Sequence, residues 1–216
     1  MKKTLATSLL CGALLLPALQ GCVPLVAAGA TQATLSAVDR RSLGTQTEDE
    51  SIEWKASLQI GELGGKQSHL NFTSYDQKVL ITGEAPSEEL KAEVERRVTA
   101  IPEVKGVYNE LAVAPPTSLG ARSNDSYITT KVKARFVESG KFNAVYVKVV
   151  TENGVVYLLG LVTQQEADAA IQVARTTGDV KKVVTLLQII TDAEAKALDV
   201  KVEPGKPANP DSISGG

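Results

Sequence analysis

Residues able to do chemistry are few and scattered. The chain of 216 residues holds one histidine, His69, and two cysteines, Cys11 and Cys22. A zinc-type site converges three or four N, S or O donors. A lone histidine beside a predicted strand, with no Cys or His partner, therefore reads as structural or solvated, and neither a metal nor another cofactor is expected. Carboxylates are plentiful but fall on predicted helix surfaces. No nucleophile, base and orienting acid can be assembled, so no catalytic residues are assigned and no enzyme is expected. Gly61-Glu62-Leu63-Gly64-Gly65 does not match a phosphate-binding loop and reads as a flexible connection.

What remains is a surface. Ser126 to Val137 carries Lys131, Lys133 and Arg135 and no acidic residue. On a helix, at ~100° per residue, Ile128, Val132 and Phe136 share the inner face. Tyr127, Thr130, Ala134 and Val137 then form the outer one, with Lys131 and Lys133 flanking it on opposite sides. A small apolar stripe headed by an aromatic and bordered by lysines is the layout of a helix lying in a membrane interface. The tyrosine ring can sit at headgroup level with its hydroxyl wet, and the lysine stems can lie along the apolar zone with their ammonium groups on phosphates. Each such cation contributes only ~1 kcal/mol near an anionic surface, so binding by this helix alone would be weak and salt-sensitive. The same three cations also fit an ordinary solvated face.

That helix belongs to an internal repeat, and the repeat sets the fold. Aligning Asp49-Glu50-Ser51-Ile52 with Asp125-Ser126-Tyr127-Ile128 superposes two inner helix faces, Ile52, Ala56, Ile60 and Ile128, Val132, Phe136. Alternating strands follow at Leu70 to Thr73 and Val145 to Val149. Turns are predicted at Asp76-Gln77 and Asn153-Gly154, the second a strong hairpin signal. A second strand ends at Gly83 in one copy and Gly160 in the other. A second helix starts after Ser87, and after Thr163 with Glu166 completing a capping box. Last strands run from Val104 to Val113 and from Val180 to Ile190. The fold class is α+β, two tandem αββαβ domains, each with two helices on a three-stranded sheet. The predicted domains are 49–114 and 124–191, joined by a linker at 115–123. Each copy leaves one sheet face to cover, so the two are expected to pack on each other.

Outside the repeats, Lys2 and Lys3 precede an apolar run from Thr4 to Leu19, too short for a stable membrane span. It closes with Leu19-Gln20-Gly21-Cys22, which resembles the lipobox of bacterial lipoproteins. Residues 1–21 are then a cleaved signal, and Cys22 is the lipidation site. Cys11 leaves with the signal, and no thiol remains for a disulfide. Val23, where an aspartate would favour retention, implies by the same resemblance release to the outer membrane. Several acyl chains on one residue make a lasting anchor. Residues 23–48 read as a tether. Residues 192–216, with Pro204, Pro207 and Pro210, read as a disordered tail whose Asp192 to Leu198 portion can extend a helix briefly.

The repeat pattern over residues 49–191, with Gly83 and Gly160 at the characteristic position, resembles the BON domain, a module of bacterial periplasmic stress proteins. With the lipobox and two copies it is similar to the dual-BON outer-membrane lipoproteins. The closer match is carried by Asp39 to Gln46, Ser123 to Lys133 and Thr151-Glu152-Asn153-Gly154. That resemblance implies a non-enzymatic protein on the periplasmic face of the outer membrane, binding anionic phospholipid, chiefly phosphatidylglycerol and cardiolipin, through the first helix of the second domain. It also implies localisation toward the division site and a part in outer-membrane integrity. The site residues would be Tyr127, Thr130, Lys131, Lys133, Ala134 and Val137. The family pattern has a tryptophan where this chain has Tyr127, which offers less apolar area.

Charge agrees with that division of roles. Residues 49–114 hold seven Lys and Arg against twelve Asp and Glu, and residues 124–191 hold eight against six. An anionic surface would repel the first copy and attract the second. The acidic balance and the compartment exclude nucleic acid as a partner. Trp54 and Leu58 fall on the outer face of the first helix, where packing against the second domain is expected, with contact to a partner protein as the other reading. They make a protein-binding adaptor for outer-membrane assembly machinery the competing function. An enzyme acting on cell-wall glycan lacks a catalytic set.

Overall fold

The computed structural model describes residues 39–202. The signal, Cys22, the tether up to residue 38 and the tail beyond residue 202 lie outside the described residues. Two serines start the long helices. The Ser42 hydroxyl accepts from the Thr45 N–H and opens α1, Leu43–Ile60. Ser118 does the same for Ala121 and opens α3, Leu119–Ser139. Both helices begin earlier than the predicted domain boundaries at 49 and 124, because a serine N-cap satisfies the first orphan N–H groups. Their buried faces carry the predicted residues, Ile52, Ala56 and Ile60 in α1 and Ile128, Val132 and Phe136 in α3.

In the first repeat, β1 (His69–Tyr75) and β2 (Lys78–Ala85) form an antiparallel hairpin, followed by α2 (Glu88–Thr99). The second repeats this with β5 (Val147–Glu152), β6 (Val155–Val162) and α4 (Gln164–Arg175). The hairpin tips are Asp76-Gln77 and Asn153-Gly154, and all four residues have positive φ, the pattern of a tight two-residue turn matched to strand twist. The last strand, β7 (Lys182–Ile189), runs parallel to β6. Its counterpart is broken into β3 (Gly106–Asn109) and β4 (Ala112–Val113), both pairing with β2. Between them Leu111 turns into the core, 2% exposed, and the Asn109 side-chain oxygen accepts its N–H.

Strand alternation divides the side chains between layers. Val79 and Ile81 of β2 join the core under α1 and α2, and Val156 and Leu158 of β6 join the core under α3 and α4. The intervening Leu80, Tyr157 and Leu159 point the other way and gather with Tyr75 into a third apolar cluster between the two sheets. The repeats therefore pack sheet to sheet, as their uncovered faces require, with the helix layers outermost. Polar contacts rim this interface, among them Lys78 to Gln188 at 2.7 Å and Lys148 to Glu53 at 2.8 Å.

Residues 39–42 and 192–202 also differ from expectation, since both belong to the fold. Asp192–Val202 forms α5 with Ala195 buried. Arg40 is 4% exposed, and its guanidinium reaches Glu166 at 2.6 and 3.0 Å, Asp199 at 2.9 and 3.2 Å and the Leu161 carbonyl at 3.0 Å. It also lies 3.8 Å over the Tyr146 ring. Burial works against the Arg40 charge, but the hydrogen bonds it donates to both carboxylates outweigh this and hold its pKa above the ordinary value. Arg41 pairs with Asp39 and Asp49 and lies 4.1 Å over the Tyr75 ring. One residue thus grips the second repeat and α5, and the next grips the first.

Two outcomes follow. A Cβ at position 160 would meet the Tyr146 carbonyl oxygen on the adjoining segment, so Gly160→Ala must push two backbones apart. It should cost about 2–3 kcal/mol, read from urea denaturation. Arg40→Met, which strands the 17%-exposed Glu166 side chain, should cost roughly 3 kcal/mol and raise amide exchange across α5. The Arg40 hydrogen bond holds the Asp199 carboxyl below its usual value of 3.8. Its contribution is present above that pH and is lost as pH falls below it, so α5 protection should weaken in acid in the parent protein and less so in Arg40→Met.

Candidate functional site

The α3 helix turns a continuous face to solvent. Tyr127 is 59% exposed and Val137 72%, and Thr130, Lys133 and Ala134 between them are exposed as well. Ile128, Val132 and Phe136 on the opposite side are fully buried. Every apolar residue assigned to the site from sequence is therefore free of protein contacts that would hide it.

The cations are less uniform than the helical wheel suggests. Of the three, Lys133 alone has no hydrogen-bond or ion-pair partner among the described residues. Lys131 is half-buried, its ammonium 2.7 Å from Asp179 and 2.9 Å from the Gly178 carbonyl, and 5.3 Å from the centre of the Tyr127 ring. Arg135 donates to the Val173 carbonyl and the Thr177 hydroxyl. Those neutral acceptors leave its charge intact, whereas Asp179 cancels that of Lys131. No sequence pattern announces the Lys131–Asp179 pair, because the two residues are brought together only by the packing of α3 beside the loop after α4.

The same face of the first repeat is also open. With Asp49 aligned to Asp125, Trp54 takes the place of Thr130 and Leu58 that of Ala134. Trp54 is 66% exposed and Leu58 61%. The expected packing of these two residues against the second domain does not occur, because the apolar contact between the domains is made by their sheets and α1 reaches the second repeat through Glu53 instead.

His69 has company that sequence spacing hid. Register places it opposite Glu84 on β2, with Nδ1 4.0 Å from Glu84 Oε2, and domain packing brings in Glu152 from β5. Donor atoms of the three lie within 4.8 Å of one another. Glu84 is 2% exposed and Glu152 8%. Burial pushes the Glu152 carboxyl up, a hydrogen bond from Asn71 opposes this, and the Glu84 charge adds to the rise. Among the described residues no helix is long and apolar enough to cross a membrane.

Comparisons with known proteins agree with this architecture. A family model described as BON domain matches residues 55–115 and 124–191. The outer membrane lipoprotein DolP of Haemophilus influenzae is 37% identical over 174 residues, 80% of this chain and 90% of that protein. A 21 kDa hemolysin of Actinobacillus pleuropneumoniae is 33% identical over 155 residues, 71% of this chain and 80% of that one. Among solved structures, CdsD, a structural protein of the type III secretion system of Chlamydia trachomatis, aligns at 14% identity over 74% of this chain and 99% of its own. Its TM-score of 0.29 is too low to bear on fold or function.

Because the helix layers lie on opposite outer sides, a surface meeting α3 should not meet Trp54. Trp54 is the one tryptophan in the chain. Its emission should be that of a water-exposed indole, quenched by acrylamide, and should stay so when anionic vesicles are added to acyl-free protein.

Proposed function

The chain belongs to the BON-domain family, and from that premise we propose an outer-membrane lipoprotein that binds anionic phospholipid through the exposed face of α3. Phosphatidylglycerol and cardiolipin are the headgroups, the role is to support outer-membrane integrity at the division site, and the chemistry is non-enzymatic. The observation that carries the reading is the unbroken exposed stripe from Tyr127 to Val137, with Lys133 projecting beside it and the acid-free stretch around it. Likeness to an outer membrane lipoprotein over four-fifths of the chain supports the location. An acylated Cys22 would raise the effective concentration of lipid around α3 and make a weak site sufficient.

Exposed apolar area at Tyr127, Ala134 and Val137 supplies the hydrophobic part of binding, and Lys133 and Arg135 supply the charge. Lys131 contributes less than its position suggests, since Asp179 already neutralises it. A second reading, a periplasmic adaptor for envelope assembly proteins, rests on Trp54 and Leu58, whose exposure leaves an apolar patch on the acidic repeat.

Titrating phosphatidylglycerol micelles into acyl-free protein while following amide shifts tests the proposal. Shifts should concentrate on Tyr127 to Val137 and diminish as salt is raised. Lys133→Glu, which reverses one charge at the surface, should weaken binding roughly tenfold or more. Lys131→Ala should have the smaller effect. Shifts that spare α3 would defeat the reading.

A further inference from the structure

We infer that His69, Glu84 and Glu152 form a binding site for a divalent transition-metal ion, zinc by preference, that clips the two repeats together. The site is built from both domains: His69 and Glu84 face each other across the β1–β2 ladder, and Glu152 comes from the end of β5 on the other side of the interface. One imidazole nitrogen and two carboxylate oxygens are the mixed N and O donor set that zinc accepts.

The electrostatics call for a cation. Two carboxylates, 2% and 8% exposed, sit together, and among the described residues neither forms an ion pair with a lysine or arginine. Arg122, which lines the adjoining cleft, forms a salt bridge with neither among the described residues. Removing two like charges from water is costly, and a bound dication offsets that cost more fully than a single imidazolium can.

The surroundings hold the donors as a metal's outer shell would. The Thr117 N–H reaches Glu84 Oε2 at 3.1 Å, its hydroxyl reaches the same oxygen at 3.4 Å, and the Asn71 amide reaches Glu152 Oε2 at 2.9 Å. Each carboxylate is thereby oriented through one oxygen. Zinc holds donors at ~2.0–2.2 Å, so three atoms now within 4.8 Å must draw in by about 1 Å, a movement open to glutamate side-chain rotations. A cleft of roughly 370 Å³, lined by His69, Glu152, Ser126 and Thr129, opens beside the donors and leaves room for water at the remaining coordination positions.

The test uses tag-free protein with the full mature chain in detergent, freed of metal by chelation. His69 is the only histidine, so its ring nitrogens give one assignable signal. Zinc chloride should bind at one ion per chain in calorimetry, shift the His69 ring nitrogen resonance and raise the melting temperature. Glu152→Gln, which keeps the shape and the Asn71 contact, and His69→Ala should both fold and lose the zinc-dependent rise. An unmoved His69 resonance under saturating zinc, or full zinc stoichiometry retained in both variants, would overturn the assignment.

Discussion

A buried aspartate on the first helix of each repeat holds the fold in register. Asp49, 2% exposed, accepts the backbone N–H of Asp76 at 2.8 Å and of Gln77 at 2.7 Å. Asp125, 5% exposed, accepts those of Asn153 and Gly154, both at 2.8 Å. A hairpin tip with both central residues at positive φ turns its N–H groups away from the ladder, and here a carboxylate collects them. Helix and hairpin are thereby fixed at one distance and one rotation. With that rotation set, Ile52 or Ile128, three residues on, must face the core, and the residues between must face out.

The exposed character of α3 is thus inherited from a buried contact. Asp125 turns the helix so that Tyr127 and Thr130 look outward. In the first repeat Asp49 does the same for Trp54 and Leu58, and Arg41 adds a cation to that carboxylate which, among the described residues, Asp125 lacks. One scaffold therefore presents two chemically different surfaces, an apolar patch on an acidic domain and a tyrosine-headed stripe on a basic one.

The periodicity of Ile52, Ala56, Ile60 and its echo at Ile128, Val132, Phe136 made both helices and their inner faces readable. The turn at Asn153-Gly154, the capping box at Thr163 and the repeat itself were readable in the same way. Local spacing could not show what depends on packing. Asp49 and Asp125 were visible as matching letters, but their role needs the hairpin brought beside the helix. Lys131 looked as free as Lys133 until Asp179 was placed beside it. Trp54 and Leu58 looked like interface residues because large apolar side chains usually are, and sheet-to-sheet packing left them outside. His69 seemed isolated because its neighbours lie across a strand and across a domain boundary. The small-residue stretch before Glu48 concealed a helix whose start depends on Ser42.

Arg40 has a mechanical consequence. The chain enters the described structure at Asp39, and its next side chain is locked to Glu166 and Asp199 before α1 of the first repeat has begun. Tension applied from the N-terminal side would load this ionic grip before it reached α1, and so be delivered in part to the second repeat. The first repeat, held at the same entry by Arg41 and Asp49, would then share the load with the second rather than bear it alone.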